Sequence, residues 1–215
     1  MTRSYPDTLA APIVRELVVK KSRFIARVAP VHSVDDADAV IAAVRRQYWD
    51  ARHNCTAMIT GLLGDQARSS DDGEPSGTAG MPMLEVLRRR GLTDVVAVVT
   101  RYFGGVKLGA GGLIRAYSTA VSEALDEAVL LHRQELLEAR IDVPHGDAGR
   151  IDNALRDWAA THSGTFGEVA YGAAASFTLW IRPSDQAVLI DDVAAFSSGA
   201  VSPTFGITRV VDVAE

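Results

Sequence analysis

Hydrophobic positions change their spacing several times along this chain, and each change marks an element. Ile13 to Lys20 and Arg23 to Val31 are short apolar-rich runs separated by Lys21-Ser22, which predicts two strands and a tight connection. Ser33 with Asp36 three residues later forms a helix-start signal. Ala37, Val40, Ile41 and Val44 then repeat at the spacing of a helical face that ends near Tyr48. Cys55 to Leu63 reads as a strand. Gly64 to Gly77 is polar without apolar periodicity, predicting an exposed loop, and Thr78 to Arg90 reads as a helix closed by Gly91. Val95 to Thr100 is a continuous run of apolar and β-branched residues, the signature of a central strand buried on both faces. A glycine-rich turn from Gly104 to Gly112 follows, then a helix from Leu113 to Leu131.

From Gln134 the pattern changes to strand (Leu136 to Val143), helix (Gly146 to His162), strand (Thr165 to Tyr171), strand (Ala174 to Ile181), helix (Ser184 to Ser197) and strand (Thr204 to Val213). That β-α-β-β-α-β order is the ferredoxin-like split unit. The fold class is therefore α+β, with one domain over residues 1–133 and a second over 134–215.

Composition sharpens the division. Residues 1–133 carry 17 Lys/Arg against 15 Asp/Glu, whereas residues 134–215 carry 5 against 12. A weakly basic first part suits contact with a polyanion, and an acidic second part does not. The 215-residue chain has no apolar run long enough to span a bilayer, and its first residues lack the apolar core of a secretory leader. Cys55 is its single cysteine, excluding internal disulfides and cysteine-based zinc clusters. These features predict a reduced, cytoplasmic protein without membrane contact.

Two segments hold the candidate chemistry. Asp71, Asp72 and Glu74 crowd three carboxylates into four positions among the turn formers Gly73, Pro75 and Gly77. Such a group must be solvated, bound to a cation or paired with basic side chains. One reading is a fixed site with Arg101, Lys107 and Arg115 as partners. The other is a solvated turn in which Ser76 or Thr78 caps the next helix. The second segment, Thr100 to Tyr117, leads a buried strand through five glycines into a helix, with Arg101, Lys107 and Arg115 around them. Glycines let backbone N–H groups approach a ligand, and a helix start favours anions. The segment is not a phosphate-binding Walker loop, since Ala110 stands where its lysine belongs. It is not a dinucleotide fingerprint either, since Ile114 occupies the third glycine position. A phosphate or nucleic-acid backbone site and simple strand-to-helix packing are its two readings. His53 and Cys55 alternate along a strand and so share a face.

Lys21-Ser22-Arg23-Phe24-Ile25, His53-x-Cys55-x-Ala57, Asp71 to Gly80 and Thr100 to Tyr117 together resemble the IMPACT family over about residues 5–130. The resemblance implies an N-terminal β-α domain like that of RNase PH and of domain IV of elongation factor G. The second domain is similar to domain V of that factor. Met81 departs from the basic residue often found after Thr78-Ala79-Gly80 in the family. The resemblance also implies association with nucleic acid or the ribosome. The translation-regulating mechanism of the family's eukaryotic members, which uses an additional N-terminal domain, does not transfer. The leading expectation is a non-enzymatic, nucleic-acid- or ribosome-associated protein in translation control.

On that reading, Lys21, Arg23, Arg101, Lys107 and Arg115 contact an RNA backbone, Tyr102 stacks on an unpaired base beside Phe103, and Asp71, Asp72 and Glu74 orient the cations. No catalytic residue, metal ligand or cofactor is assigned. The alternative is an enzyme acting on a phosphorylated or nucleotide substrate, with a divalent metal at Asp71, Asp72 and Glu74 and His53 handling a proton.

Overall fold

The computed structural model describes residues 5–214 and divides them into two compact units, residues 5–133 with 212–214, and residues 134–211. Residues 1–4, part of the segment read above for leader character, lie outside the described residues. Among the described residues no helix is long and apolar enough to cross a membrane.

The first unit runs β1 (Thr8–Leu9), β2 (Ile13–Val19), β3 (Ser22–Pro30), α1 (Val34–Gln47), β4 (His53–Thr60), β5 (Gln66–Ser70), α2 (Gly80–Arg89), β6 (Val95–Tyr102) and α3 (Ala110–Asp126), followed by the start of β7 (Leu130–Val143). Five of these strands form an antiparallel sheet in the order β2-β3-β6-β4-β5. The central place of β6 matches its uninterrupted apolar run. Val95, Ala97 and Val99 face a core shared with α2 and α3, whereas Val96 and Val98 face α1. This period-2 alternation recurs in β4, where Cys55, Ala57 and Ile59 join the α2/α3 core and Met58 the α1 core. The predicted cap of α1 is present, with Ser33 accepting from the Asp36 N–H at 3.0 Å.

Three predicted boundaries shift. Part of the expected loop from Gly64 to Gly77 is the edge strand β5, which pairs with β4 although its sequence, Gln-Ala-Arg-Ser-Ser, has no apolar alternation. An edge strand that is exposed over most of its length needs none. Helix α3 starts at Ala110 and stops at Asp126, so Leu130 and Leu131 belong to β7 and pair with β1. Helix α2 begins at Gly80, with Thr78 outside it.

The second unit continues from β7 through α4 (Ala148–Thr161), β8 (Thr165–Tyr171), β9 (Ala175–Ile181), α5 (Gln186–Ser197) and β10 (Thr204–Ala214). Its sheet places β10 beside β7, then β9, then β8. Ala175, Phe177, Leu179 and Ile181 alternate into a core with Ile151, Leu155 and Trp158 of α4 and Leu189 and Val193 of α5. The molecule is a mixed α+β protein.

Candidate functional site

The alternation that buries Ala97 and Val99 against α2 and α3 carries Arg101 onto the same face, at the end of β6 where the apolar cover runs out. There the Arg101 Nη1 donates to Glu74 Oε1 at 2.6 Å, with the side chains 8% and 4% exposed. The hydroxyl of Tyr117, from α3, donates to the same oxygen at 2.8 Å. The Cys55 Sγ lies 3.3 Å from that hydroxyl and 3.0 Å from the Asp71 carbonyl. Burial pushes the Cys55 thiol up to about 12, against the opposing effect of its bond to Tyr117, and burial likewise raises the Tyr117 hydroxyl. Both shifts favour the protonated forms, which disfavours the Cys55 thiolate. The guanidinium also stacks near two rings, with its carbon 5.3 Å from the Phe24 centroid and 5.7 Å from that of Phe103. Its Nε is buried and has no hydrogen-bond partner among the described residues.

The acidic loop follows neither reading of the sequence as a whole: Glu74 takes Arg101 as the first expected, but the two aspartates do not. Asp71 pairs with no cation among the described residues. Its Oδ1 accepts from the N–H groups of Ala79 and Gly80 at 2.9 and 2.8 Å, and its Oδ2 from that of Gly77 at 2.8 Å. Burial works to raise its carboxyl, but these three bonds hold it below the ordinary carboxylate range. Asp71, rather than Ser76 or Thr78, therefore satisfies the start of α2, and Thr78 Oγ1 instead donates to the Pro75 carbonyl.

Asp72 accepts from the Asn54 N–H at 2.7 Å and from Arg45 at 2.8 Å. Its own carbonyl lies 2.9 Å from His53 Nδ1. A carbonyl only accepts, so Nδ1 carries the proton, and a neutral ring leaves Nε2 as an acceptor. Glu74 alone takes Arg101. The three carboxylates thus serve three separate partners, and Lys107 and Arg115 serve none of them. Among the described residues no group of three His, Cys, Asp or Glu is placed to hold a metal ion.

The acidic loop and the glycine turn do meet. A cavity of about 370 Å³ is lined by Glu74 and Pro75 on one side and by Phe103, Lys107, Leu108, Gly109 and Ala110 on the other, with Arg101 between them. A second cavity of about 370 Å³ shares Arg101 and Phe103 and is lined also by Asp50, Arg52, His53 and Tyr102. Helix α3 opens on the first cavity with no acidic residue in its first turn and no side-chain cap. Lys107 is exposed, and Phe103 is 58% exposed.

The remaining candidates lie elsewhere. Arg115 lines a different cavity together with Lys20. Arg23 is held by Glu16 through two bonds of 2.8 and 2.9 Å, with its guanidinium carbon 5.5 Å from the Tyr102 ring centroid. Lys21 sits at the hairpin tip, where Lys20 and Lys21 both take left-handed backbone angles. Gly104 fits against that tip so closely that a Cβ would lie 2.0 Å from the Lys21 carbonyl carbon. At this glycine the packing requirement is explicit. Reasoning from sequence missed Tyr117, Asp50, Arg52 and Arg45. Of these, only Tyr117 had a visible signal, lying on the buried stripe Leu113-Ala116-Tyr117-Ala120 of α3.

The chain is similar to known proteins. Residues 20–125 match the Impact N-terminal domain. The chain is 47% identical over 142 residues to the IMPACT family member YvyE of Bacillus subtilis, covering 66% of this chain and 65% of that protein. It is 44% identical over 148 residues to YigZ of Escherichia coli, covering 68% and 72%. A solved crystal structure of a hypothetical protein superposes with a TM-score of 0.60 at 33% identity, covering 94% of this chain and 97% of that one. The chain belongs to the IMPACT family.

Proposed function

We propose that this protein binds unpaired RNA on the surface around Arg101 and acts in translation regulation through that contact, free or on the ribosome. The observation that carries the reading is the Arg101 guanidinium. It is held in place by Glu74, borders two cavities, and keeps a buried donor without a partner among the described residues. A buried donor left unmet costs about 1–3 kcal/mol, so a group retained in that state favours a ligand that satisfies it. Lys107 and the open first turn of α3 add cationic character beside it, and exposed Phe103 offers a stacking face.

The fold supports the same reading. The sheet order β10-β7-β9-β8 with two helices in its core fits the ferredoxin-like arrangement expected of the second unit. The five-stranded first unit is compatible with the expected likeness to RNase PH and to elongation factor G domain IV. The buried, free Cys55 suits the reduced cytoplasm.

A salt titration of RNA binding by the full chain tests the proposal. Three phosphate contacts to single-stranded RNA give a log–log slope of about −2. Lys107→Ala is expected to flatten that slope by about 0.7, whereas Phe103→Ala weakens binding and leaves the slope unchanged. No retention of RNA at low salt, or binding indifferent to both changes, overturns it.

A further inference from the structure

Arg101 and Phe103 are common to two adjoining cavities whose chemistry differs. On one side, Lys107 and the start of α3 offer positive charge and free first-turn N–H groups, which suit a phosphate. On the other side the polar groups are mixed. Asp50 accepts from the Tyr102 hydroxyl through Oδ1 at 2.7 Å, and its Oδ2 has no partner among the described residues. His53, with Nδ1 committed to the Asp72 carbonyl, presents Nε2 as an acceptor. Arg52 adds donors. A phosphate diester has no N–H to give to Asp50 or His53, so this second cavity is not another phosphate site. A nucleobase meets its requirements: a flat face for Phe103, and an edge that both donates and accepts.

We infer that the two cavities together hold one unpaired guanosine phosphate. Its phosphate lies against Lys107 and the start of α3, and its base lies beside Phe103 in the cavity of Asp50, Arg52 and His53. Guanine is favoured because its N1–H and N2–H stand side by side, as a carboxylate acceptor requires, next to an O6 acceptor for Arg52. Adenine and cytosine place only one amino group on that edge, and uracil places a single N–H between two carbonyls. The inference deepens the RNA-binding reading and rests on it. The guanosine phosphate is supplied either as a free nucleotide or by an unpaired position in RNA.

Calorimetric titration of the full chain with GMP, AMP, guanosine and inorganic phosphate tests the site. A uridine oligomer and the same oligomer carrying one central guanosine supply the RNA arm. GMP is expected to bind about tenfold or more tighter than AMP, the discrimination of one good two-bond pairing. Asp50→Asn places an amide donor toward the guanine donors and should erase that preference. Lys107→Ala should weaken GMP and leave guanosine unchanged.

Preference for guanosine in the oligomer alone assigns the site to RNA, and preference for GMP of equal strength assigns it to the free nucleotide. Either supports the inference. Affinities equal within about twofold across bases, or a preference that survives Asp50→Asn, overturn it. If RNA is retained with its salt dependence but without base preference, this inference falls and the RNA-binding reading stands. If GMP binds selectively and RNA is not retained, the RNA-binding reading falls and the nucleotide site stands.

Discussion

Exchanging Glu74 for Gln isolates the charge that holds Arg101 in place. The two side chains are almost fully withdrawn from water and 2.6 Å apart. Unit charges even 4 Å apart attract by about 4 kcal/mol at an effective dielectric constant of 20. Removing one partner of a buried pair costs about 3–5 kcal/mol, because the other stays charged and desolvated. Gln keeps the shape of Glu and an acceptor for the Tyr117 hydroxyl, so the loss reflects charge rather than packing. E74Q is expected to lower the stability of the first unit by about 3–5 kcal/mol, and R101M by a similar amount. The double variant removes both charges together. It should therefore lose less than the two single losses combined, by about 1 kcal/mol or more.

Hydrogen exchange read by mass spectrometry measures this within one chain. Peptides over Val95–Tyr102 report the affected sheet, and peptides over Ala175–Ile181 in the other unit serve as the internal reference. Losses that add to within about 0.5 kcal/mol, or that appear equally in both peptides, would refute the argument.

Asp71→Asn should destabilise α2 by about 2 kcal/mol at neutral pH, since a charged acceptor of three N–H bonds becomes a neutral one. The Asp71 carboxyl titrates below its ordinary value in the folded protein. Its contribution is therefore complete above about pH 4 and is lost as pH falls through the lower folded value. Melting temperatures of parent and variant should converge as pH falls toward about 2, and curves that stay parallel would contradict this. Gly104→Ala should cost about 2 kcal/mol or more by displacing the Lys21 backbone, whereas Gly111→Ala meets open space and should leave the melting temperature unchanged or slightly raised. Cys55 in the folded protein should react with a maleimide about a thousandfold more slowly than a free thiol, and equal rates would show that the thiol is neither buried nor raised.

What the sequence revealed and what it hid divide on physical lines. A strand buried on both faces announces itself, because Val95 to Thr100 has no polar position to interrupt it. The polar edge strand β5 lacks any such signature, and its pairing with β4 depends on backbone groups that every residue carries. The amides that hold Asp71 are invisible for the same reason. Arg101 was legible as a candidate, but its partner was not. Selecting Glu74 over Asp71 or Asp72 depends on how the loop turns at Asp72 and Gly73, both with left-handed backbone angles. Leu130 and Leu131 extend the apolar stripe of α3, so periodicity alone continues the helix into what is β7.

The pairing of Arg101 with Glu74 also separates two quantities that a basic surface usually combines. Glu74 neutralises Arg101, so the pair adds little net charge to the cavity that Arg101 lines, while the planar guanidinium keeps donors beyond the one given to Glu74. Counterion release depends on net charge and affinity depends on both charge and direction. Arg101→Lys preserves the ion pair but removes the fork and the Nε donor. RNA affinity should therefore fall, while the slope of log affinity against log salt stays within about 0.3 of the parent, in contrast to the change of about 0.7 expected for Lys107→Ala. The measurement is the same titration on both variants. A slope lowered by Arg101→Lys as much as by Lys107→Ala would mean that Arg101 meets RNA as a bare charge, and an unchanged affinity would mean that its unmet donor meets nothing at all.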